Sequence, residues 1–317
     1  MKISVIVTNW NGVRLGYLEP CLDSIEKEFN RTDIIDEVII VDDCSSDESE
    51  RFILVNYPQF KIIRTPKNLG FQAAANYGVY YATNEVVMIL NNDIIVTIGV
   101  SEKFINWFKK DDNVFAVSTR VHLWDGVTYL AGKRIAHIEK GNFILKDCID
   151  EKDKTALTLF ATGGAACFNR EKFFKLEGFD RLYYPLYWED IDICYRAQKR
   201  GWKVIYDPQI LLLHKHQATI QTMYGKDSLR LLTARNSYLF FWKNITDSTL
   251  IREHIFYNLL LIIKDIFMLK FRFPVASILA LQRIIEVIKR RKIELRESTK
   301  TDTEVLSNHS ERAKKLW

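Results

Sequence analysis

Cysteine and proline are scarce in this chain, and glycine is not clustered: its 317 residues hold five cysteines, six prolines and thirteen glycines. Cys21, Cys44, Cys148, Cys167 and Cys194 form no CxxC unit and no paired spacing. That argues against a disulfide framework or a cysteine-built zinc site and for reduced thiols in a cytosolic setting. No GxGxxG follows the first β-rich run, where NWNGVRLG has glycines only at 12 and 16, and no Walker A loop occurs. Dinucleotide dehydrogenases and P-loop NTPases therefore lose their phosphate cradle. There is no internal repeat and no low-complexity segment. The most apolar run, IFYNLLLII at 255–263, is interrupted by Asn258 and closed by Lys264-Asp265. It falls short of the roughly 20 residues that a membrane span needs. The opening MKISVIVTNWNG is too short in apolar residues for a signal-peptide core. Without export, the Asn-x-Ser/Thr triplets at Asn30, Asn244 and Asn308 say nothing of glycosylation. A general field of positive charge is missing too. Residues 251–317 carry 14 Lys and Arg against 8 Asp and Glu, whereas the other 250 residues carry 31 against 32. The chain's net charge of +5 lies in its tail, which is not the footprint of a nucleic-acid binder.

What is present is a large apolar supply, 48% of residues, enough for one big domain or two modest ones. Over the first 120 residues, β-rich runs at 2–8, 37–43, 60–65, 85–90 and 114–119 alternate with helix-compatible stretches at 14–29, 47–56, 70–82 and 98–110. Continuous Val/Ile runs suit strands buried on both faces, and strict alternation predicts an α/β fold with a mostly parallel central sheet. Ligands in such sheets bind beyond the carboxyl ends of the strands. Thr8-Asn9, Asp42-Asp43 and Asn91-Asn92-Asp93 stand at three of those ends, and an acidic rim makes a divalent cation the expected counter-charge for any phosphate. Residues 120–250 are aromatic-rich, with dense islands at 161–173 and 178–208. The stretch 251–296 reads as two amphipathic helices divided at FRFP (271–274). Ile278, Leu281, Ile285 and Ile288 share a face that Lys289-Arg290-Arg291-Lys292 closes. Docking on an anionic membrane surface and ordinary packing against the domain or a partner both fit this pattern.

Each candidate has a plain alternative. Asp93 suits magnesium or manganese completed by a diphosphate, or an Asx turn after a strand. Asp42 and Asp43 can accept from a base N–H and a ribose hydroxyl, while Ser46 or Asp47 would cap the next helix. In WEDID, Glu189, Asp190 and Asp192 complement a helix dipole, yet Tyr183, Tyr184, Tyr187 and Trp188 crowd them toward general-base strength. His214 and His216 have strand spacing, which raises the odds of a ligand role only modestly.

The succession ISVIVTNWNG, VIIVDDCSSDES, TPKNLGFQAAANYG, ILNNDI and GFDRLYYPLYWEDIDICYRAQKRGW resembles family 2 glycosyltransferases with the GT-A fold, in their bacterial rhamnosyltransferase-like branch. The resemblance covers about residues 1–245. It implies a nucleotide-sugar-binding half (1–120), an acceptor-binding and catalytic half (121–248), and a basic helical tail (249–317). It places Thr8, Asn9, Asp42 and Asp43 on the nucleoside, and Asn68, Gly70, Phe71, Asn76, Asn92 and Trp188 along the nucleotide and donor sugar. Asp93 becomes the acid of the metal motif for Mg2+ or Mn2+, with His214 near the metal. Asn91 departs from the family's usual aspartate, so metal affinity without nucleotide is expected to be low. Glu189-Asp190 matches the ED pair, Asp190 as general base, and Arg235-Asn236 resembles a further motif. The implied activity is inverting transfer from a dTDP- or UDP-sugar, dTDP-rhamnose among them. The acceptor would be a hydroxyl of a glycan or polyprenyl-diphosphate-linked molecule in cell-surface polysaccharide synthesis. The expected setting is cytoplasmic and peripheral at the inner membrane face, through 251–296, with a homodimer as another use of the tail and no nucleic-acid partner. A nucleotidyltransferase would need a glycine- and Lys/Arg-rich loop where TNWNGVRLG stands. A non-catalytic membrane-associated scaffold keeping the fold is the remaining alternative.

Overall fold

The structure, a computed structural model, describes residues 1–148, 154–215 and 224–308. The chain begins with β1 (Ile3–Asn9), α1 (Leu18–Arg31), β2 (Ile35–Asp42), α2 (Ser49–Asn56), β3 (Lys61–Arg64), α3 (Phe71–Tyr81) and β4 (Val86–Asn91). It continues through β5 (Ile94–Val96), α4 (Val100–Lys110), β6 (Val114–Leu123), β7 (Tyr129–Ala131) and the hairpin β8 (Arg134–Glu139) and β9 (Asn142–Asp147). Then come β10 (Ala156–Leu157), β11 (Ala165–Asn169), α5 (Arg170–Lys175), α6 (Glu189–Lys199) and β12 (Lys203–His214). The tail comprises α7 (Lys226–Asn244), α8 (Ser248–Phe267), α9 (Arg272–Leu281), α10 (Ile284–Glu297) and α11 (Asp302–Ser307).

The main sheet runs β10-β12-β6-β11-β4-β1-β2-β3, with β5 added to β12 and β7 to β6. Strands β1 to β4 are mutually parallel, as the two-sided apolar runs of β1, β2 and β4 predict, with the half-exposed β3 at the edge, and β12 parallels β6. Between these blocks β11 runs antiparallel to both β4 and β6, so the sheet is mixed. Alternate residues of each strand feed two cores. In β1, Ile6 packs on one face with Ala74, Ala75 and Val79 of α3, while Val5 and Val7 meet Leu18, Leu22 and Ile25 of α1 on the other. Burying each of those large aliphatic side chains contributes roughly 1.5–3 kcal/mol.

The tail departs from the expected pair of helices. The chain breaks at 268–271 and again at Gln282-Arg283, giving α8, α9 and α10, so the stripe Ile278, Leu281, Ile285, Ile288 is split between two helices. Pro274 lies inside the first turn of α9, where its missing N–H costs nothing. Helix α8 is built inside out. It buries His254, Asn258 and Asp265 and exposes Ile255, Phe256, Leu259, Leu260, Ile263, Ile266 and Phe267. Its buried face is anchored by polarity: His254 meets Gly141 O through Nδ1 at 2.6 Å, and Trp242 Nε1 donates to its Nε2 at 2.9 Å. Helix α9 likewise buries the small Ala276, Ser277 and Ala280 and leaves Ile278 and Leu281 in solvent. No helix among the described residues is long and apolar enough to cross a membrane.

Candidate active site

Parallel register brings three strand ends level. Thr8 pairs with Asn91 across one side of β1 and with Val41 across the other, and Asn9 pairs with Asp42. Beyond these ends opens a cavity of about 680 Å³. Thr8, Asn9, Asp43, Asn68, Gly70, Phe71, Asn92 and Asp93 line it from the first half of the chain, and Trp188, Glu189, Asp190 and His214 from the second.

The rim is cross-linked by its own side chains. Asn9 Nδ2 donates to Asp42 Oδ1 (2.8 Å), while Asn9 Oδ1 accepts from Asn92 Nδ2 (2.8 Å). Asp42 also accepts from the Ser45 N–H and from Arg64. It is wholly buried behind the rim and does not reach the cavity wall. Asp43 does, and its carboxylate takes the Leu69 and Gly70 N–H groups and the Thr65 hydroxyl, each at 2.8 Å, fixing the loop that enters α3. Asn76 lies off the cavity, its amide clamped to both backbone polar groups of Phe179. Two glycines permit this closeness: a Cβ on Gly12 would stand 2.3 Å from Asn9 Oδ1, and one on Gly164 2.3 Å from Asn91 Oδ1.

The short β5, which carried no sequence signal, sets Asp93 beside His214. Ile94 pairs with His214 across β5 and β12, and the Asp93 carbonyl accepts from Lys215 N and Trp124 Nε1. Asp93 Oδ1 is buried, lies 3.1 Å from His214 Nε2, and accepts no well-formed hydrogen bond. An oxygen short of a donor beside an imidazole nitrogen fits a divalent cation. Among the described residues, however, no three His, Cys, Asp or Glu side chains gather, so a diphosphate would have to supply further oxygens. His216 lies outside the described residues.

The opposite wall is the start of α6. Tyr187 and Trp188 both have left-handed backbone (φ 67° and 78°), a conformation that costs non-glycine residues of order 1 kcal/mol or more each. The buried Asn236 amide pays for it by donating to the carbonyls of Tyr183, Leu186 and Tyr187 at 2.9–3.0 Å. Trp188 packs on Phe143 and Phe240 and lines the cavity. Helical geometry then sorts WEDID. Glu189 and Asp190 face the cavity, while Asp192 turns into the interior and binds Arg196 and Lys243. Burial, reinforced by the Asp190 charge, pushes Glu189 up to about 8, and Gln72 Nε2 reaches it at 3.2 Å. Burial raises Asp190 as well, but the Arg134 charge and the Gly163 and Ile191 N–H groups oppose it. Burial thus favours the neutral form of both carboxyls, and at Glu189 the neighbouring Asp190 charge adds to it.

Arg134 was not singled out from sequence. It lies on β8, its guanidinium 4.8 Å from the Phe160 ring centre and bonded to Asp147 and Thr162, at the cavity wall. The signal was present in KRIAHIEKGNFILKD, two alternating runs around Lys140-Gly141, which both take positive φ as a hairpin turn requires.

A mixed sheet of this order, with polar strand ends facing a carboxyl pair across one cavity, defines the GT-A fold of nucleotide-sugar transferases. Residues 4–176 match the family described as glycosyl transferase family 2, and the chain belongs to that family. The N-acetylglucosaminyl-diphospho-decaprenol L-rhamnosyltransferase of Mycobacterium tuberculosis is 21% identical over 232 residues, covering 64% of this chain and 73% of its own length. Among solved structures, GalNAc-T7 with UDP, GalNAc and Mn2+ superposes with a TM-score of 0.60 at 17% identity, over 77% of this chain and about half (48%) of that one. The mannosyltransferase PcManGT from Pyrobaculum calidifontis, with GDP-Man and Mn2+, gives 0.54 at 17% identity over 100% of this chain and 87% of that one.

Proposed function

We propose that the chain is an inverting glycosyltransferase that moves a sugar from a nucleoside-diphosphate donor, dTDP- or UDP-linked, to a hydroxyl of a glycan or lipid-linked acceptor. The observation that supports it best is the placement of Asp93-His214 and Glu189-Asp190 around one cavity. Strand-end side chains would hold the nucleotide: Thr8, Asn9 and Asp43 at the nucleoside, with Asn68, Gly70 and Phe71 toward the sugar. Asp190 would take the proton of the acceptor hydroxyl as its oxygen bonds to the anomeric carbon. The bond from that carbon to the donor diphosphate breaks on the opposite face, and the diphosphate leaves with the electron pair. Neutral Glu189 avoids a second buried negative charge beside the base. Asp93 and His214 would hold Mg2+ or Mn2+, which neutralises charge on the departing diphosphate when bound.

A thermal-shift panel of nucleotides and nucleotide sugars, with and without Mn2+, tests this, because a ligand of the native state raises stability by mass action. At 100 Kd the gain is about 2.7 kcal/mol. Wild type is expected to show a metal-dependent shift with dTDP or UDP compounds, and Asp93→Ala to lose it. No shift with any nucleotide would favour the scaffold alternative.

The tail extends the reading to a membrane. The exposed apolar residues of α8 and α9 form a surface that a soluble monomer rarely leaves bare. Lys264, Lys270 and Arg272 stand at the α8–α9 corner and Lys289 and Lys292 on α10, none in an ion pair among the described residues. Apolar area framed by unpaired cations complements an anionic bilayer surface, and we propose that α8 and α9 lie in that interface. The protein should sediment with phosphatidylglycerol vesicles, and Ile263→Glu with Phe267→Glu should remain in the supernatant. Equal supernatant fractions for both, with a dimer-to-monomer change in the variant, would assign the face to a second copy.

A further inference from the structure

Arg235, on α7, stands where the cavity meets the tail, its guanidinium on the carbonyl of the cavity-lining Tyr184. Other cations of α6, α7 and the tail are ion-paired, Arg196 with Asp192, Lys243 with Asp180 and Asp192, Arg290 with Asp180 and Arg283 with Glu286, while Arg291 is held by the Trp242 and Ile245 carbonyls. Arg235 meets no carboxylate among the described residues. Its Nη2 donates to the Tyr184 carbonyl at 2.6 Å and its Nε to its own neighbour Asn236 Oδ1 at 2.9 Å. Burial and the like charge of Arg283 both press its pKa down. A half-buried guanidinium with no carboxylate of its own, near a second one paired with Glu286, is an electrostatic deficit that a bound anion would relieve.

Its position says which anion. On one side, Tyr184 and Thr233 line the cavity where a hydroxyl would be glycosylated. On the other, Ala234 of α7 shares a core with Ala276 and Ala280 of α9, whose Ile278 and Leu281 belong to the exposed apolar face. Arg283 lies two residues beyond the end of α9. From the active site outward the molecule therefore offers a polar cavity, a pair of guanidiniums and an apolar surface. A sugar joined through a diphosphate to a lipid has its parts in that order. We propose that Arg235, with Arg283 beside it, seats the diphosphate of a lipid-diphosphate-linked acceptor at the cavity mouth. This rests on the transferase reading above and makes the acceptor class specific.

Farnesyl diphosphate titrated calorimetrically into the full chain is the test, with farnesol as the uncharged control. Wild type should bind the diphosphate, Arg235→Met at least tenfold more weakly, and Arg235→Lys in between. Arg283→Gln, which leaves the Tyr184 contact intact, should also weaken it, so the result does not hang on a variant that misfolds. Binding should be insensitive to Asp93→Ala, which separates this seat from the donor diphosphate. Equal affinity in all variants, or no binding by wild type, would overturn the proposal. So would loss of phosphatidylglycerol-vesicle sedimentation in Arg235→Met to the same degree, since that would assign the cations to lipid headgroups. Arginine-dependent binding with a blank nucleotide panel would sink the transferase reading and leave this site standing. The reverse pair of results would do the opposite.

Discussion

Asp190→Asn is expected to lower kcat by 10²- to 10⁴-fold while leaving nucleotide-sugar affinity within about twofold of wild type, the range assigned to a positioned general base. The substitution keeps shape and volume and removes only the ability to take a proton. Asp190 stands across the cavity from the strand-end side chains that would hold the nucleotide, so donor binding has no reason to follow. Parallel loss of affinity and rate would sink the assignment. The pH profile gives a second readout. Burial raises the Asp190 pKa above the ordinary aspartate value near 3.9, so the acid limb of kcat/KM should lie above that value. Glu189 supplies a stability signature of opposite sense to a normal carboxylate. Its folded-state pKa is raised to about 8, above the unfolded value near 4.3. Stability from the neutral form is therefore complete below the unfolded value and is lost as pH rises through about 8, by a few kcal/mol in order of magnitude. The melting temperature of wild type should fall relative to Glu189→Gln between pH 6 and 9. A constant difference across that range would mean Glu189 is ionised throughout.

Much of this site is legible in the residues because parallel-sheet geometry makes strand ends a single place. Val/Ile runs mark where β1, β2 and β4 lie, and whatever follows each run must meet at one rim, which is how Asn9, Asp43 and Asp93 converge. The same logic could not tell Asp42 from Asp43. Adjacent residues at a strand end point to opposite sides, and only the surrounding bonds, Asn9 and Ser45 for one and the loop N–H groups for the other, decide which reaches the cavity. Asn76 reads as a donor-side residue from its motif, but its side chain is consumed by Phe179, more than a hundred positions away. Such a long-range partner has no local signature. Nor has the three-residue β5, too short to show a period, although it brings Asp93 to His214. The break at Gln282-Arg283 has neither glycine nor proline to announce it. The tail's amphipathicity was visible, but its sense was not. A helix that buries His254, Asn258 and Asp265 looks, in projection, like one that buries the opposite face.

Lys243→Met should cost about 3–5 kcal/mol, the penalty for breaking a buried ion pair, and lower the melting temperature on the order of 10 °C. Lys243 Nζ lies 2.8 Å from Asp180 Oδ2 and 2.8 and 2.9 Å from the two oxygens of Asp192, with its side chain 2% exposed. Removing it leaves the half-buried Asp180 and the buried Asp192 carboxylates to share Arg196 and Arg290. Burial alone would raise both acids, yet the cations outweigh it and hold both below the usual aspartate range. Their contribution is thus present above pH 4 and lost in acid, and wild type should be more acid-labile than the variant's residual fold. As a contrast, Lys175→Met removes an exposed pair with Glu171 on α5 and should leave the melting temperature unmoved. If Lys243→Met behaves like Lys175→Met, the interior network does not hold in solution. The consequence reaches chemistry through α6. Asp192 lies two residues beyond Asp190 on the same first turns, and Lys199 at the far end of that helix binds Asp302 of α11. One helix therefore carries Asp190 at its start and is pinned by charge pairs to α7, α10 and α11. An apolar replacement of equal volume could be as stable, but it would lack the directional bonds that fix where α6 begins. Lys243→Met should accordingly lose more activity than its unfolded fraction explains, because what it loosens is the position of Asp190.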